Sequence, residues 1–274
     1  MPSLRVNGAE FYYEEAGTGT PVLLLHGLGS NAGDWEFQAA ALSRQYRAIA
    51  MDVRGHGRSS KPPGPYSVAQ FAADAVALLR GLGAAPAHVV GLSMGGMIAF
   101  QMAVDSPDMV RSLTIVNSGP EMILRTLKGR MMIRMRFAIV RLFGMRSMGR
   151  TIAKALFPDP GQEGLRQRFA DTLGANDPRA YLDALRAING WSVLDRIGGI
   201  GCPALVASSD RDYSPVEWKR QYAALMPRAE VAVIAGSRHA APLDSPEELN
   251  RLILGFLAGA RANAPSYSTP SFPE

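Results

Sequence analysis

A single cysteine, Cys202, occurs in the chain. No disulfide can form within one copy, which suits a reducing compartment. Standing before Pro203, this thiol is expected to be a buried structural one. No run reaches the ~18 consecutive apolar residues that a membrane-spanning helix needs. The N-terminus lacks the apolar segment of a secretory signal, so the expected location is the cytoplasm. No Cys/His cluster has zinc spacing and no glycine-rich loop has the form of a phosphate cradle, so neither a metal nor a cofactor is expected. Histidines are also scarce, with four in 274 residues. Any base among them is therefore quickly sought.

Apolar residues are plentiful. They make up 47% of the sequence, enough for a large core in one domain or in a domain carrying an insertion. Short continuous apolar runs recur at Val22–Leu25, Ala48–Met51, His88–Val90, Leu113–Val116, Ala204–Ala207 and Val231–Ile234. Runs of this kind fit parallel strands buried on both faces. Helix signals lie between them. Ser67 to Leu82 is one, with Ser67 as N-cap and Gly83 just past the end. The alternating stretch Glu10–Glu15 reads as an antiparallel edge strand. The class is α/β, a mostly parallel twisted sheet with helices on both faces.

Gly91-Leu92-Ser93-Met94-Gly95 stands between the apolar Val89-Val90 and the helix-like Gly96 to Val104. A Gly-x-Ser-x-Gly sequence between strand and helix is a nucleophile elbow. Side chains at the two glycines would meet the neighbouring strand and helix. The bend lifts the Ser93 hydroxyl clear of the backbone. A serine hydroxyl is a poor nucleophile until a base takes its proton and a carboxylate orients that base. The elbow predicts the chain order Ser, Asp or Glu, His. His26, His56 and His88 all precede Ser93, so His239 is the candidate base. It follows the run Val231 to Ala235 and precedes a helix opening at Pro246-Glu247-Glu248. Two aspartates, Asp210 and Asp212, follow the strand Pro203 to Ala207 and compete for the acid role. The residue after the nucleophile, Met94, offers a backbone N–H to an oxyanion.

Four motifs occur in order across residues 20 to 257. They are Leu25-His26-Gly27-Leu28-Gly29-Ser30 with Trp35, Met51-Asp52-Val53-Arg54-Gly55-His56-Gly57-Arg58-Ser59, Gly91 to Gly96, and His239 with Pro246-Glu247 and Phe256-Leu257. Together they resemble the α/β-hydrolase superfamily, in the serine-nucleophile branch that holds bacterial carboxylesterases, enol-lactonases and C–C bond hydrolases. The resemblance implies an α/β-hydrolase fold with an inserted helical cap. It favours Asp212 over Asp210, because Ser209 stands where the family often has glycine and Pro215 follows at the family's distance. Asp210 would then cap the helix near Pro215 or pair with Arg211. The resemblance also implies Leu28 as the second oxyanion N–H. His26, Arg54, His56 and Asp52 are read as supports of their loops. The domain reading is a core over 1–119 and 191–261, a helical cap over 120–190, and a flexible tail over 262–274, where Pro and Ser abound.

Residues 122–157 match no family motif. They hold nine Lys or Arg, no Asp or Glu, and six of the thirteen methionines. Met131, Met132, Met135, Ile139, Leu142 and Phe143 recur at roughly helical spacing. Methionine fills irregular gaps, so a methionine-lined, roomy acyl pocket under the cap is expected, with broad chain-length tolerance. The leading reading of the charges is a solvated basic face. A carboxylate-bearing substrate steered by an arginine and weak contact with an anionic membrane surface stay open beside it. Basic charge alone does not argue for nucleic acid, and no nucleic-acid partner is expected. The oligomeric state is not legible.

The expected activity is cleavage of small to medium lipophilic carboxylic esters through an acyl-enzyme on Ser93. The rivals are an enol-lactonase or a C–C hydrolase of aromatic catabolism, and a non-enzymatic ligand receptor on the same fold. C–C hydrolases usually carry Trp soon after the histidine, where this chain has Ala240-Ala241. Haloalkane dehalogenases and epoxide hydrolases use aspartate at the elbow, which Ser93 excludes. Haloperoxidase-like esterases without cofactor share the same triad.

Overall fold

The computed structural model describes residues 2–262. Eight strands form one sheet: β1 (Ser3–Val6), β2 (Ala9–Ala16), β3 (Pro21–Leu25), β4 (Arg47–Met51), β5 (Ala87–Leu92), β6 (Val110–Val116), β7 (Ala204–Ser209) and β8 (Ala229–Ile234). Their order is β1-β2-β4-β3-β5-β6-β7-β8. β1 and β2 pair antiparallel, as do β2 and β4, and every later pairing is parallel. Glu10–Glu15 is thus not the edge strand; β2 is second in the sheet and β1 lies outside it. The turn between them is Asn7-Gly8, with φ of 47° and 72°. Two consecutive residues at positive φ match the right-handed twist of a hairpin, and Asn-Gly adopts them at least cost.

Successive side chains of a strand point to opposite faces, and the buried runs use both. Leu23 and Leu25 of β3 enter one apolar layer with Phe71 and Ile98. Val22 and Leu24 enter the other, with Trp35, Leu42, Leu249 and Leu257. The first layer is covered by α2 (Val68–Gly81) and α3 (Met94–Asp105), the second by α1 (Glu36–Leu42) and α9 (Pro246–Ala262). Ser67 caps α2, its hydroxyl accepting from Gln70 N–H at 3.0 Å. Gly83 follows at φ 59°.

After β3 the chain builds outward to β4, then returns to place β5 on the other flank of β3. Loops at the carboxyl ends of β3 and β5 therefore diverge and leave a crevice, the usual ligand position in such sheets.

Three helices stand between β6 and β7: α4 (Leu127–Leu156), α5 (Glu163–Gly174) and α6 (Pro178–Ile188). Gly144, at φ 75° and ψ 176°, breaks α4 into two. α4 and α5 touch closely at Gly149, where a Cβ would lie 2.5 Å from the Ala170 carbonyl oxygen. The chain goes out to these helices and comes back through a narrow neck. Met122 N–H donates to Trp191 O at 2.8 Å, Gly190 N–H to Met122 O at 2.9 Å and Val193 N–H to Pro120 O at 2.8 Å. Glu121 and Ser192 form an antiparallel bridge there. Two further short α-helices follow β7 and β8, α7 (Val216–Ala223) and α8 (Ala241–Asp244), and short 3-10 turns stand at Ala32–Trp35, Pro107–Met109 and Ile197–Gly199. Of the expected tail, 262–274, the first residue, Ala262, ends α9, and residues 263–274 lie outside the described residues.

Candidate active site

Ser93 sits between the end of β5 and the first residue of α3, at φ 53° and ψ −115°. A non-glycine residue there costs of order 1–3 kcal/mol and persists only where its surroundings hold it. They do so from three sides. Ser93 N–H donates to Val116 O at 3.0 Å. Its carbonyl accepts from Met97 N–H at 3.1 Å and from Ser118 Oγ at 2.6 Å. The glycines permit the close packing. A Cβ on Gly91 would lie 2.2 Å from Gly95 O, one on Gly95 2.0 Å from Leu25 O, and one on Gly96 2.5 Å from Ser118 Cβ.

His239 follows β8 on a loop, and its Nδ1 donates to Asp212 Oδ1 at 2.6 Å. The Tyr213 ring packs against the imidazole, centroids 4.5 Å apart. Asp210 is exposed and takes no part. It does not cap α7, which starts after Pro215 with no side-chain cap, and no ion pair with Arg211 occurs among the described residues.

Two residues around this pair carry no motif. Lys219, wholly buried on α7, donates from Nζ to Asp212 Oδ2 at 2.6 Å and to Ser214 O at 3.2 Å. Ser214 Oγ adds a third donor to Asp212 at 2.8 Å. Burial alone would push the Asp212 carboxyl up. The hydrogen bond and charge of His239, with the Lys219 ammonium behind them, hold it well below the usual carboxylate range. Asn117, at the end of β6 with φ 45°, is the other. Its Nδ2 donates to Ser209 Oγ, Arg238 O and His239 O at 2.9, 3.0 and 3.1 Å, and its Oδ1 accepts from Ser209 N–H at 2.8 Å. One side chain thus ties the ends of two strands to the histidine loop. Asparagine at a strand end, before Ser118-Gly119-Pro120, is a turn signal that could have flagged it. A lone lysine in an amphipathic helix gives no such signal.

Ser93 and His239 line one cavity of about 50 Å³, together with Gly27, Leu28, Asp34, Leu156 and Phe169. Leu156 and Phe169 come from α4 and α5. No methionine of 122–148 reaches this wall. Met131, Met132 and Met135 are exposed, while Met145 and Met148 are buried in the core. The roomy methionine-lined pocket is therefore replaced by a small one to which α4 and α5 contribute a leucine and a phenylalanine. The first half of α4 turns Ile133 and Val140 inward and its methionines outward.

The loop after β3 is held by buried polar groups. His26 Nδ1 donates to Gly27 O at 2.8 Å and its Nε2 accepts from Val53 N–H at 3.0 Å. Burial draws its pKa down to about 4. His56, edge-on to His26, donates from Nδ1 to Arg54 O at 3.0 Å and is drawn to about 3 by burial and by the neighbouring His26. Asp52 accepts from Ala32 N–H and Arg58 N–H, both at 2.7 Å, joining the two loops. Arg54 forms a buried ion pair with Asp74 at 2.6 Å. The half-buried Cys202 thiol is pushed up to about 11 by burial.

A strained serine between strand and helix, in the crevice of a mostly parallel sheet and sharing a cavity with a carboxylate-bound histidine, defines the class of α/β-fold hydrolases. The model of the alpha/beta hydrolase fold family matches residues 20–246, and the chain belongs to that family. It is 31% identical over 267 residues to a putative carbamate hydrolase, RutD, of Azorhizobium caulinodans, covering 93% of this chain and 98% of the relative. Among solved structures it is similar to an enol-lactonase from Burkholderia xenovorans, with TM-score 0.87, 25% identity, and 94% and 100% of the two chains covered. It is also similar to a thermophilic esterase from Thermogutta terrifontis, with TM-score 0.82, 26% identity, and 94% and 97% covered.

Proposed function

We propose that the protein is a serine hydrolase of carboxylic esters with small acyl groups, working through an acyl-enzyme. The observation that carries this reading is the 2.6 Å bond from His239 to Asp212 beside a cavity that also holds Ser93. In the proposed cycle Ser93 Oγ attacks the ester carbonyl carbon as its proton passes to His239 Nε2. The imidazolium is stabilised by Asp212, which also keeps the remaining Nδ1–H in place. The negative oxygen of the tetrahedral intermediate is received by the N–H groups of Met94 and Leu28, at the positive end of α3. Collapse breaks the C–O bond, and the alcohol leaves with the proton from Nε2. Water, deprotonated by the same nitrogen, then attacks the acyl-enzyme and releases the acid. Residues 120–190 serve in this proposal as a cap, and Leu156 and Phe169 limit the length of the acyl chain.

A second reading, hydrolysis of a carbamate, is favoured by one feature. Asp34, buried and accepting from the Ser30 hydroxyl, is one of the residues lining the cavity, and in this reading its carboxyl accepts from an N–H of the substrate. The relative named a putative carbamate hydrolase accords with it. The test is a panel of p-nitrophenyl esters of rising chain length, run beside an alkyl carbamate and 3-oxoadipate enol-lactone. Best turnover of the acetate or butyrate ester supports the first reading. Preference for the carbamate or the lactone replaces it. A phosphonate that labels a residue other than Ser93 removes both.

A further inference from the structure

The outward face of the first half of α4 is apolar. Leu127, Met131, Met135 and Leu142 are all more than half exposed, at 71%, 59%, 56% and 73%. At 3.6 residues per turn they fall within about 80° of arc, and Phe143 extends the patch. Ile133 and Val140, on the opposite side, are the residues that this half of the helix buries. The usual arrangement of a surface helix is polar outside and apolar inside. Here an apolar stripe faces outward as well. Of the eleven large apolar side chains exposed among the described residues, seven lie between Ile123 and Phe143. A concentration of that kind marks an interaction surface.

The charges beside the stripe say what covers it. Arg130, Arg134 and Arg141 run along one border and Lys128 along the other. None of these four pairs with a carboxylate among the described residues. Residues 122–157 contain no acidic residue at all. A second copy docked symmetrically through this face would set cation against cation. A surface that is apolar inside and densely anionic outside matches both parts at once. We infer that the Leu127–Phe143 half of α4 is a docking surface for an anionic phospholipid bilayer, with Leu127, Met131, Met135, Leu142 and Phe143 entering the acyl boundary and the bordering cations meeting headgroup phosphates.

The inference stands apart from the hydrolytic reading, and its test does not require activity. The full chain is sedimented with vesicles of phosphatidylglycerol and phosphatidylcholine, and with vesicles of phosphatidylcholine alone, at low and high salt. Binding is expected to the anionic vesicles, weakened by salt. It should fall about tenfold or more in M131S/M135S/L142S and in R130Q/R134Q/R141Q. Circular dichroism and thermal melting confirm that each variant is folded; L142S alone replaces the triple variant if it is not. Absence of binding by wild type overturns the inference. So does equal binding to neutral vesicles. So does a dimer, seen by sedimentation velocity, that the apolar substitutions convert to monomer, since the stripe would then be covered by a second copy.

Discussion

At the residue scale the Ser93 hydroxyl, proposed as the nucleophile, is distinct from the backbone groups that hold the elbow. Ser93→Ala removes the Oγ and leaves every backbone bond of the elbow, so ester hydrolysis should fall by about four orders of magnitude or more while the melting temperature stays near that of wild type. Asp212→Asn should cost about 10⁴-fold in kcat by failing to hold the imidazole tautomer, whereas Asp210→Asn, at an exposed position, should stay within about twofold. Reversal of that order would exclude the proposed acid. Lys219 calls for a different measurement. It and Asp212 are buried together, with side-chain exposures of 0% and 1%. Removing one partner of a buried pair strands the other charge, so Lys219→Met should lower unfolding free energy by about 3–5 kcal/mol in denaturant titration. A loss below about 1 kcal/mol would mean that His239 and Ser214 suffice for Asp212.

At the scale of elements, two of the inserted helices contribute to the cavity wall, and the proposed function gives them control over what it admits. Leu156 and Phe169 form its wall from α4 and α5. Truncating either to Ala should shift kcat/KM toward longer p-nitrophenyl esters by about tenfold relative to the acetate. Met131→Ala or Met135→Ala should leave that ratio unchanged, because both side chains face away from the core. The contrast shows what sequence could and could not tell. The elbow, the histidine loop and the strand runs were legible because each is a local pattern with a local cause. The orientation of α4 was not. Apolar residues at helical spacing announce a helix, but α4 carries them on two faces, and only packing against α5 and α6 decides which one is buried. β1 went unread for a simpler reason. Its four residues alternate weakly, and the signal lies in the Asn7-Gly8 turn rather than in the strand. Lys219 was invisible because the carboxylate it meets is supplied by another loop.

For the whole molecule, the buried histidines make stability depend on pH. His26 and His56 have pKa values drawn to about 4 and about 3, against an ordinary 6.5. Between those limits the unfolded chain binds more protons than the folded one, so stability rises with pH across the window. It is complete above about pH 6.5 and is lost as pH falls toward 4, by on the order of a few kcal/mol. Asp212 adds a further loss at lower pH, below the ordinary carboxylate value. Unfolding free energies measured from pH 7 to pH 4 should show this slope, and a flat profile would mean that the two rings reach solvent.

The neck at Pro120–Met122 and Gly190–Val193 bears on how such a chain can change over time. Its two chain segments run side by side, joined by an antiparallel bridge, so the points where the helical excursion begins and ends are neighbours. Whatever hangs beyond them can be lengthened, shortened or exchanged without moving β6, β7 or the residues at their tips. Descent can therefore rewrite what Ser93 meets while leaving the elbow that holds it unchanged. One scaffold can diverge into many selectivities through replacement of a single detachable part.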